Sequence, residues 1–287
     1  MSADPRQTLY VSDLDGTLLR SDGSLSAYSA RTLNRLIGEG MHFTVASARG
    51  CGPIRNALGD LRLRLPVIAT NGAYVSDLAT GRHLAVQALP PATARDLCAL
   101  FDGHEYSPFL FTTDGSADRF YYTTASLRND GMRRFHRKRE TRQDPRLRRL
   151  DDLRQGLDDQ VVRFTLIDAL PPIHNLEREV RRRHGSAVQI HCHENYDALW
   201  YHLTVLDAHA TKDHGAAALK RVLDVEHGRL VVFGDQVNDP GLFRVADEAC
   251  AVAGAPPELA RHATAVIGSN DDDAVARWLE HRWRADR

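Results

Sequence analysis

The feature that most constrains the fold is a short apolar run that ends in two carboxylates separated by one residue. The run is Thr8-Leu9-Tyr10-Val11, the carboxylates belong to Asp13 and Asp15, and Gly16 follows them directly. Strands of open α/β sheets present functional groups at their carboxyl ends, in a crevice outside the sheet. Two carboxylates at such a place repel each other unless a cation or a shared proton compensates for their charge. The stretch therefore predicts a functional site at a strand end, with an ordinary strand and Asp-Gly turn as the simpler alternative.

Alternating strand and helix patterns continue downstream of this stretch. They place a helix over residues 25–39, a strand over 41–46, a helix over 53–58 and a strand over 65–69. Strands that alternate with helices predict βαβ units and a parallel sheet, in which successive strands end at the same edge. The polar residues that follow the second and third strands are Ser47, Arg49 and Asn71. We therefore expect polar groups from three strands to converge at one edge of the sheet.

The pattern changes beyond residue 73, where hairpins appear between the helices. The predicted elements are hairpins over 74–86 and 187–205, strands over 109–112, 119–122 and 161–167, and helices over 90–101 and 173–184. This mixture favours a separate α+β module, which we place at residues 80–205, inserted into the first domain. The first pattern then returns, with a helix over 212–223, strands over 229–233, 248–252 and 265–267, and a helix over 271–284.

Composition is that of an ordinary globular protein with room for two domains. The chain has 287 residues, of which 26% are charged and 43% hydrophobic, and its formal net charge of −1 gives no argument for nucleic acid or membrane partners. The four cysteines are scattered without a CxxC pair, which favours reduced thiols and a cytoplasmic location. The first residues are polar, and no apolar run approaches the roughly 18 residues of a membrane span, so neither a signal peptide nor a span is expected.

Four motifs in a fixed order indicate a family. They are Asp13-Leu14-Asp15-Gly16-Thr17, Ser47, Lys212 and Gly234-Asp235-Gln236-Val237-Asn238-Asp239. In this order the chain resembles the haloacid dehalogenase superfamily of phosphohydrolases, specifically its Cof-type members, over nearly its whole length. The resemblance implies an α/β fold with a doubly wound, mainly parallel, Rossmann-like core. The core would comprise residues 1–79 and 206–287, and residues 80–205 would form an inserted α+β cap of type IIB.

Elementary chemistry explains why these residue types suit phosphate ester hydrolysis. A phosphate monoester repels an attacking anion, so the reaction needs positive charge and positioning. Asp13 is suited to attack phosphorus and form an aspartyl-phosphate, and Asp15 to protonate the leaving oxygen and later deprotonate water. Thr17 is expected to help hold Asp15 and the turn. Asp235 brings another carboxylate to the same edge, which favours a Mg²⁺ site.

The resemblance assigns further roles, and the chain departs from the family pattern at three places. It implies Mg²⁺ ligation by Asp13, the backbone carbonyl of Asp15 and Asp235, with Asp239 acting nearby. It implies phosphate binding by Ser47 and Lys212, with Asn238 orienting the lysine or the phosphate. The departures are Ser47-Ala48-Arg49 in place of Thr-Gly-Arg, Ala255 in place of an asparagine, and His262-Ala263-Thr264 in place of an Ala-Asp pair. They concern loop details rather than the reaction, because Ser47 keeps the hydroxyl group.

Candidates for contact with the leaving group come from both predicted domains. Arg49 and Asn71 lie on the core side, and His191 and His193 lie in the inserted module. Alternate residues of a strand face opposite sides, so the two histidines share a face and Cys192 opposes them. The sequence His-Cys-His therefore does not predict a transition-metal site, and contact of one histidine with substrate is the favoured interpretation.

These observations predict a cytoplasmic, Mg²⁺-dependent phosphatase, monomeric or homodimeric, that acts on small phosphorylated metabolites, with sugar phosphates as the leading class. One alternative is a phosphomutase or dedicated sugar-phosphate phosphatase related to phosphomannomutase. Another is a protein that binds phosphorylated metabolites without turnover, which the intact acidic motifs argue against. The basic stretch 128–154 is interleaved with aspartates, so we expect a solvated face rather than a nucleic-acid site.

Overall fold

The chain forms two compact units. The computed structural model describes residues 8–115, 117–194, 199–225, 228–235 and 240–285. The units divide between Ala85 and Val86 and between Ala210 and Thr211. Sequence analysis draws these boundaries at 79/80 and 205/206, and the action of the second unit as a cap stays a prediction. No helix among the described residues is long and apolar enough to cross a lipid bilayer.

The elements follow the two units along the chain. The first unit begins with β1 (Leu9–Ser12), α1 (Ala27–Gly38), β2 (His42–Val45), α2 (Cys51–Leu58), β3 (Val67–Ala69), β4 (Tyr74–Ser76) and β5 (His83–Val86). The second unit contains α3 (Pro91–Gly103), β6 (Phe109–Thr113), β7 (Asp118–Tyr122), α4 (Asp130–Glu140), β8 (Leu147–Arg149), β9 (Gln160–Asp168), α5 (Leu170–His184), β10 (Val188–Glu194) and β11 (Tyr201–Asp207). The first unit resumes with α6 (Lys212–Val222), β12 (Leu230–Gly234), α7 (Pro240–Val245), β13 (Glu248–Ala251), α8 (Pro257–Ala260), β14 (Ala265–Val266) and α9 (Ala274–Ala285).

The core sheet of the first unit is parallel, with strand order β14-β13-β12-β1-β2. Strand β1 lies between β12 and β2, and Ser12 pairs with Phe233 on one side and Val45 on the other. A parallel bridge between Ala46 and Ile68 continues this edge to β3, which itself pairs with β4 and β5. Strands β12, β1 and β2 therefore end at the same level, next to one another.

Helices cover both faces of this sheet because its strands are apolar on both sides. On one face Val11 and Val232 are fully buried in a cluster with Leu219 of α6 and Leu242 of α7. On the other face α1 contacts α9, and the ring of Phe233 lies 5.3 Å from that of Trp278. Burial of each large apolar side chain stabilises the fold by about 1.5–3 kcal/mol. The predicted doubly wound α/β core is confirmed.

The second unit is built on a mainly antiparallel sheet of order β10-β11-β9-β6-β7-β8, in which only the described pair β7–β8 is parallel. Helices α3 and α5 pack together on one face, where the Phe101 and Phe164 rings lie 5.7 Å apart. Helix α4 packs on the other face, where the Phe135 and Phe109 rings lie 5.2 Å apart. The predicted α+β character of the inserted segment is confirmed.

The predicted last helix begins later than the sequence suggests. Instead of starting at Asp271, α9 starts at Ala274, after a short turn over Asn270–Asp272 and a left-handed Asp273 with φ of 60°. Tertiary contacts explain the shift, because the Asp271 carboxylate accepts hydrogen bonds from Ser21 and the Asp273 carboxylate accepts from Ser29. These aspartates bind a distant loop and helix rather than the first turn of α9.

Within the basic stretch 128–154, α4 and β8 account for most of the regular structure. Its arginines are largely exposed, as expected of a solvated face, but Arg139 lies 3.6 Å from the Phe135 ring centroid. Burial lowers the pKa of this guanidinium to about 9. Arg139 therefore acts as part of the packing of the second unit.

Candidate active site

Asp13 occupies the position where β1 ends and the chain turns sharply. Its backbone N–H donates to the Phe233 carbonyl at 2.9 Å, which continues the parallel pairing by one residue. Its side chain then caps the tight turn Leu14–Leu18, because Oδ1 accepts the Leu14 N–H at 2.7 Å. Only 4% of Asp13 is exposed. The carboxylate is thus held in a single orientation at the sheet edge.

Lys212, the first residue of α6, meets this carboxylate. Its Nζ lies 2.8 Å from Asp13 Oδ2, and only 2% of the residue is exposed. A lysine is almost never fully buried unless it is paired, since its charge loses the hydration of bulk water. The pair therefore places a positive charge within hydrogen-bond distance of the acidic group that ends β1.

A strained turn after β3 fixes the start of α6. Thr70, Asn71 and Gly72 all have positive φ, of 52°, 56° and 101°, and non-glycine residues rarely adopt this conformation. Gly72 lies so close to the backbone of Thr211 that a Cβ would overlap the Thr211 carbonyl. Glycine is therefore required there, both for the conformation and for the approach of α6. Backbone strain of this kind clusters at functional sites.

Asp235 follows β12 and lies against the turn after Asp13. The residue is 8% exposed, and its Oδ1 accepts a hydrogen bond from Thr17 Oγ1 at 2.7 Å. A Cβ at Gly16, whose φ is 74°, would collide with the Asp235 carboxylate. The expectation that Thr17 holds Asp15 is therefore wrong, because its hydroxyl binds Asp235. The hydroxyl and the glycine together place this carboxylate against Gly16, the residue that follows Asp15.

The donor set at this edge suits a small, hard divalent cation. Two buried carboxylates, those of Asp13 and Asp235, flank a turn whose backbone carbonyls include that of Asp15. Mg²⁺ is usually held by one or two carboxylates and keeps water or phosphate oxygens in its remaining positions. The residues present therefore fit such an ion. Asp239, predicted to assist, and Asn238, predicted to bind phosphate, lie outside the described residues.

Ser47 and Arg49 follow β2, which pairs with β1 in the core sheet. Ser47 is 1% exposed, its N–H donates to Ile68 and its Oγ accepts the Arg49 N–H at 3.1 Å. Its carbonyl accepts the N–H of Asn71 at 3.0 Å, which links the ends of β2 and β3. The predicted phosphate-binding serine and the predicted leaving-group residue Asn71 thus lie on two loops that a backbone hydrogen bond joins.

Arg49 makes a contact that the sequence does not predict. Its Nε and Nη2 donate to the two oxygens of Asp15, at 2.9 and 2.5 Å. Both side chains are partly exposed, at 32% for Arg49 and 53% for Asp15. Arg49 is expected from the sequence to contact the leaving group, whereas the structure pairs it with the predicted general acid. No spacing rule could have found this pair, because the residues belong to different loops.

His191 and His193 lie in the second unit, on β10. They alternate with Cys192 as expected, since His191 pairs with Thr204 and His193 with His202 in an unbroken antiparallel ladder. The His193 and His202 rings stack at 5.0 Å between centroids. Burial lowers the pKa of both His191 and His193, so the neutral imidazoles are favoured. Their contact with substrate stays a prediction.

Fold and site together define a protein with a parallel α/β core that carries buried acidic groups, a buried lysine and a buried serine at adjacent strand ends. The model of the haloacid dehalogenase-like hydrolase family matches residues 10–279. The chain therefore belongs to the haloacid dehalogenase-like hydrolase family, in agreement with the resemblance in its motifs.

Individual relatives extend this assignment. The HMP-PP phosphatase of Serratia proteamaculans is 27% identical, with 95% of this chain and 94% of the relative covered. The 5-amino-6-(5-phospho-D-ribitylamino)uracil phosphatase YitU of Bacillus subtilis is 22% identical, with 95% of this chain and 96% of the relative covered. The solved structure of the HAD subclass IIB sugar phosphatase BT4131 matches with a TM-score of 0.67 and 17% identity, over 96% of this chain and 99% of that chain. The family match and the names of these relatives support a phosphatase, and the fold is similar to that of the subclass IIB structure.

Proposed function

We propose that this chain hydrolyses small phosphate monoesters in a Mg²⁺-dependent reaction that passes through an aspartyl-phosphate on Asp13. The observation that carries the proposal is the buried pair of Asp13 and Lys212, 2.8 Å apart at the end of β1. A carboxylate held this firmly beside a cation is arranged to meet a phosphoryl group rather than solvent. The neighbouring Asp235 and Ser47 supply the remaining groups that phosphoryl transfer needs.

The nucleophile is positioned by two contacts of its own carboxylate. Leu14 N–H binds Oδ1 and Lys212 binds Oδ2, so the carboxylate cannot rotate while phosphorus approaches. Lys212 offsets the negative charge of the nucleophile and, as the phosphoryl group moves, that of its oxygens. The Ser47 hydroxyl, buried in the adjacent loop, can donate to another phosphoryl oxygen. Mg²⁺, when bound by Asp13 and Asp235, would neutralise further charge on the transferring group.

Asp15 is the residue to protonate the leaving oxygen and afterwards to take a proton from the attacking water. Arg49 now occupies both of its carboxylate oxygens. The pair must therefore open before Asp15 can reach a substrate. This opening needs little free energy, because both side chains are partly exposed and water screens their charges. We infer that the leaving group displaces the Arg49 side chain, which then becomes available to the leaving group itself.

Sugar phosphates are the first substrate class to test. Curated relatives include phosphatases named for a phosphoribitylamino-uracil and for HMP-PP, and a structural neighbour is a sugar phosphatase. The leaving groups of these proteins differ, so the core site itself must recognise chiefly the phosphate. A panel of sugar phosphates, pyridoxal phosphate, nucleotides and glyceryl phosphate would rank the classes by kcat/KM.

The deciding experiment compares the wild-type chain with Asp13→Asn. We expect p-nitrophenyl phosphate turnover to require Mg²⁺ and to fall by about 10⁴-fold or more in the variant, as losses of a catalytic nucleophile do. The matched control is Asp60→Asn, which removes an exposed carboxylate of the same unit and should leave the rate unchanged. Acid quenching during turnover of a ³²P-labelled substrate should place the label on the peptide that contains Asp13. Normal activity of Asp13→Asn would refute the assignment.

A further inference from the structure

A second cluster of metal-ligating side chains lies in the unit formed by residues 86–210, apart from the proposed hydrolytic residues along the chain. It consists of His174 and Glu177 of α5 and Cys192 of β10. One ligand atom from each residue lies within 4.8 Å of the others. The cluster joins a helix to the strand that it covers, so two separate elements supply its ligands.

The packing of α5 on the sheet brings these three residues together. Ile173 and Leu176 are buried, at 0% and 2% exposure, and anchor one face of the helix. His174 and Glu177 each follow a buried residue by one position, so both lie along the same flank of that face. Cys192 points to the face of the sheet that α5 covers, because it alternates along β10 with two histidines that lie on the opposite face.

One member of the cluster is held in place by a neighbour. Glu177 Oε1 accepts two hydrogen bonds from Arg181, at 3.0 and 2.8 Å, and these orient the carboxylate on the helix surface. His174 is exposed and Cys192 is half-buried, so an ion from solvent can reach all three groups. The side chains of His174 and Cys192 make no hydrogen bond to the residues that the structure describes.

We propose that His174, Glu177 and Cys192 bind a divalent transition-metal ion of the zinc type. Thiolate, imidazole and carboxylate together are the donors that Zn²⁺ and Co²⁺ accept, whereas Mg²⁺ takes oxygen donors only. Ligand atoms around a tetrahedral ion with bonds of about 2.0–2.3 Å lie roughly 3.3–3.8 Å apart. Side-chain rotations that shorten the present separations by about 1 Å therefore suffice, with a water molecule as the fourth ligand. Binding releases the thiol proton to solvent.

The proposed site differs from the hydrolytic one in the chemistry of its ligands and in the effect that a bound ion would have on the protein. The carboxylates of Asp13 and Asp235 select a hard ion for catalysis, whereas the thiol selects a softer one. An ion held by His174, Glu177 and Cys192 ties α5 to β10 and stabilises the folded state of this unit by mass action. Its removal is expected to lower thermal stability without removing any group of the proposed reaction.

Cobalt substitution tests the proposal, because thiolate ligation of Co²⁺ gives a near-ultraviolet charge-transfer absorption that oxygen ligands do not produce. The full chain is titrated with Co²⁺ in saturating Mg²⁺, which occupies the core site. We expect one equivalent of Co²⁺ to generate the absorption, and Zn²⁺ to abolish it by displacement. Cys192→Ser should lose the absorption, and His174→Ala should weaken Co²⁺ binding by about tenfold or more.

Two matched controls separate this site from other thiols and imidazoles. Cys51→Ser removes a half-buried cysteine of the other unit and His104→Gln an exposed histidine, and both should bind Co²⁺ like the wild type. As an independent readout, Zn²⁺ should slow alkylation of Cys192 in the wild-type chain, as measured by peptide mass spectrometry. Absence of the absorption in the folded wild-type chain, its persistence in Cys192→Ser, or unchanged alkylation with Zn²⁺ would each overturn the proposal.

Discussion

Replacement of Thr17 by valine tests how the site would control its affinity for the proposed Mg²⁺ ion. Thr17 is 1% exposed and donates from Oγ1 to Asp235 Oδ1 at 2.7 Å. Valine nearly preserves the shape of the side chain and removes only this donor. The Asp235 carboxylate then loses a partner that holds it against the Gly16 turn, so the position of one proposed Mg²⁺ ligand is no longer fixed.

The size of the effect follows from the kind of bond. A hydrogen bond to a charged acceptor contributes about 1.5–3 kcal/mol, and about 1.4 kcal/mol corresponds to a factor of ten in an equilibrium constant. Loss of groups that orient a metal ligand weakens metal binding by about 10- to 100-fold, which agrees with that range. We therefore expect the Mg²⁺ concentration for half-maximal activity to rise by about 10- to 100-fold, with kcat at saturating Mg²⁺ little changed.

The assay is a Mg²⁺ titration of p-nitrophenyl phosphate hydrolysis, accompanied by urea unfolding to establish that the variant is folded. Thr44→Val is the matched control, because Thr44 is fully buried in the same unit and donates to the neutral Pro66 carbonyl at 2.6 Å. It should destabilise the chain without changing the Mg²⁺ requirement. The reasoning fails if Thr17→Val keeps the wild-type requirement, or if both variants raise it equally.

Three further predictions concern charge, backbone and pH. Lys212→Met should lower kcat by about 10²- to 10³-fold in a stopped assay, while circular dichroism shows a folded chain. Gly72→Ala should lower the free energy of unfolding by about 1–3 kcal/mol or more, as measured with urea, because the added Cβ overlaps the Thr211 carbonyl. Gly81→Ala is the control and should lower it less, because Gly81 also has a positive φ but its Cβ would meet no atom within 4 Å. Burial lowers the pKa of His136 from its ordinary 6.5. Below that pH the unfolded chain therefore binds more protons than the folded chain, so the free energy of unfolding should fall on acidification. His136→Gln should flatten this dependence in urea titrations at different pH values.

The convergence of the site residues could be predicted because it depends on rules that act locally and on sheet topology. Apolar runs place Asp13, Ser47 and Asp235 directly after strands, and parallel strands end at a common edge. The structure accordingly shows β12, β1 and β2 as neighbours. Lys212 is predicted from its place in the order of motifs rather than from any local pattern, and the chemical roles of all four residues stay proposals.

Contacts between distant loops could not be predicted from local patterns. Thr17 binds a residue 218 positions away and Arg49 one 34 positions away, and neither spacing follows from helix or strand geometry. The predicted start of α9 at Asp271 is wrong for the same reason, because Asp273 adopts a left-handed conformation and its carboxylate accepts a hydrogen bond from Ser29. In each case a tertiary hydrogen bond overrides the local preference of a polar residue.

The distribution of burial at the site explains how one core could serve different substrates. Asp13 and Lys212 are almost fully buried, so the groups proposed to meet the phosphoryl group are fixed before substrate arrives and need little reorganisation. Asp15 and Arg49 are partly exposed, and their pair is weak because water screens it. A leaving group can therefore exchange contacts on this side without disturbing the buried pair. Substitutions at Arg49 should accordingly change the ranking of substrates by kcat/KM more than they change the proposed Mg²⁺ requirement, which we assign to the buried carboxylates.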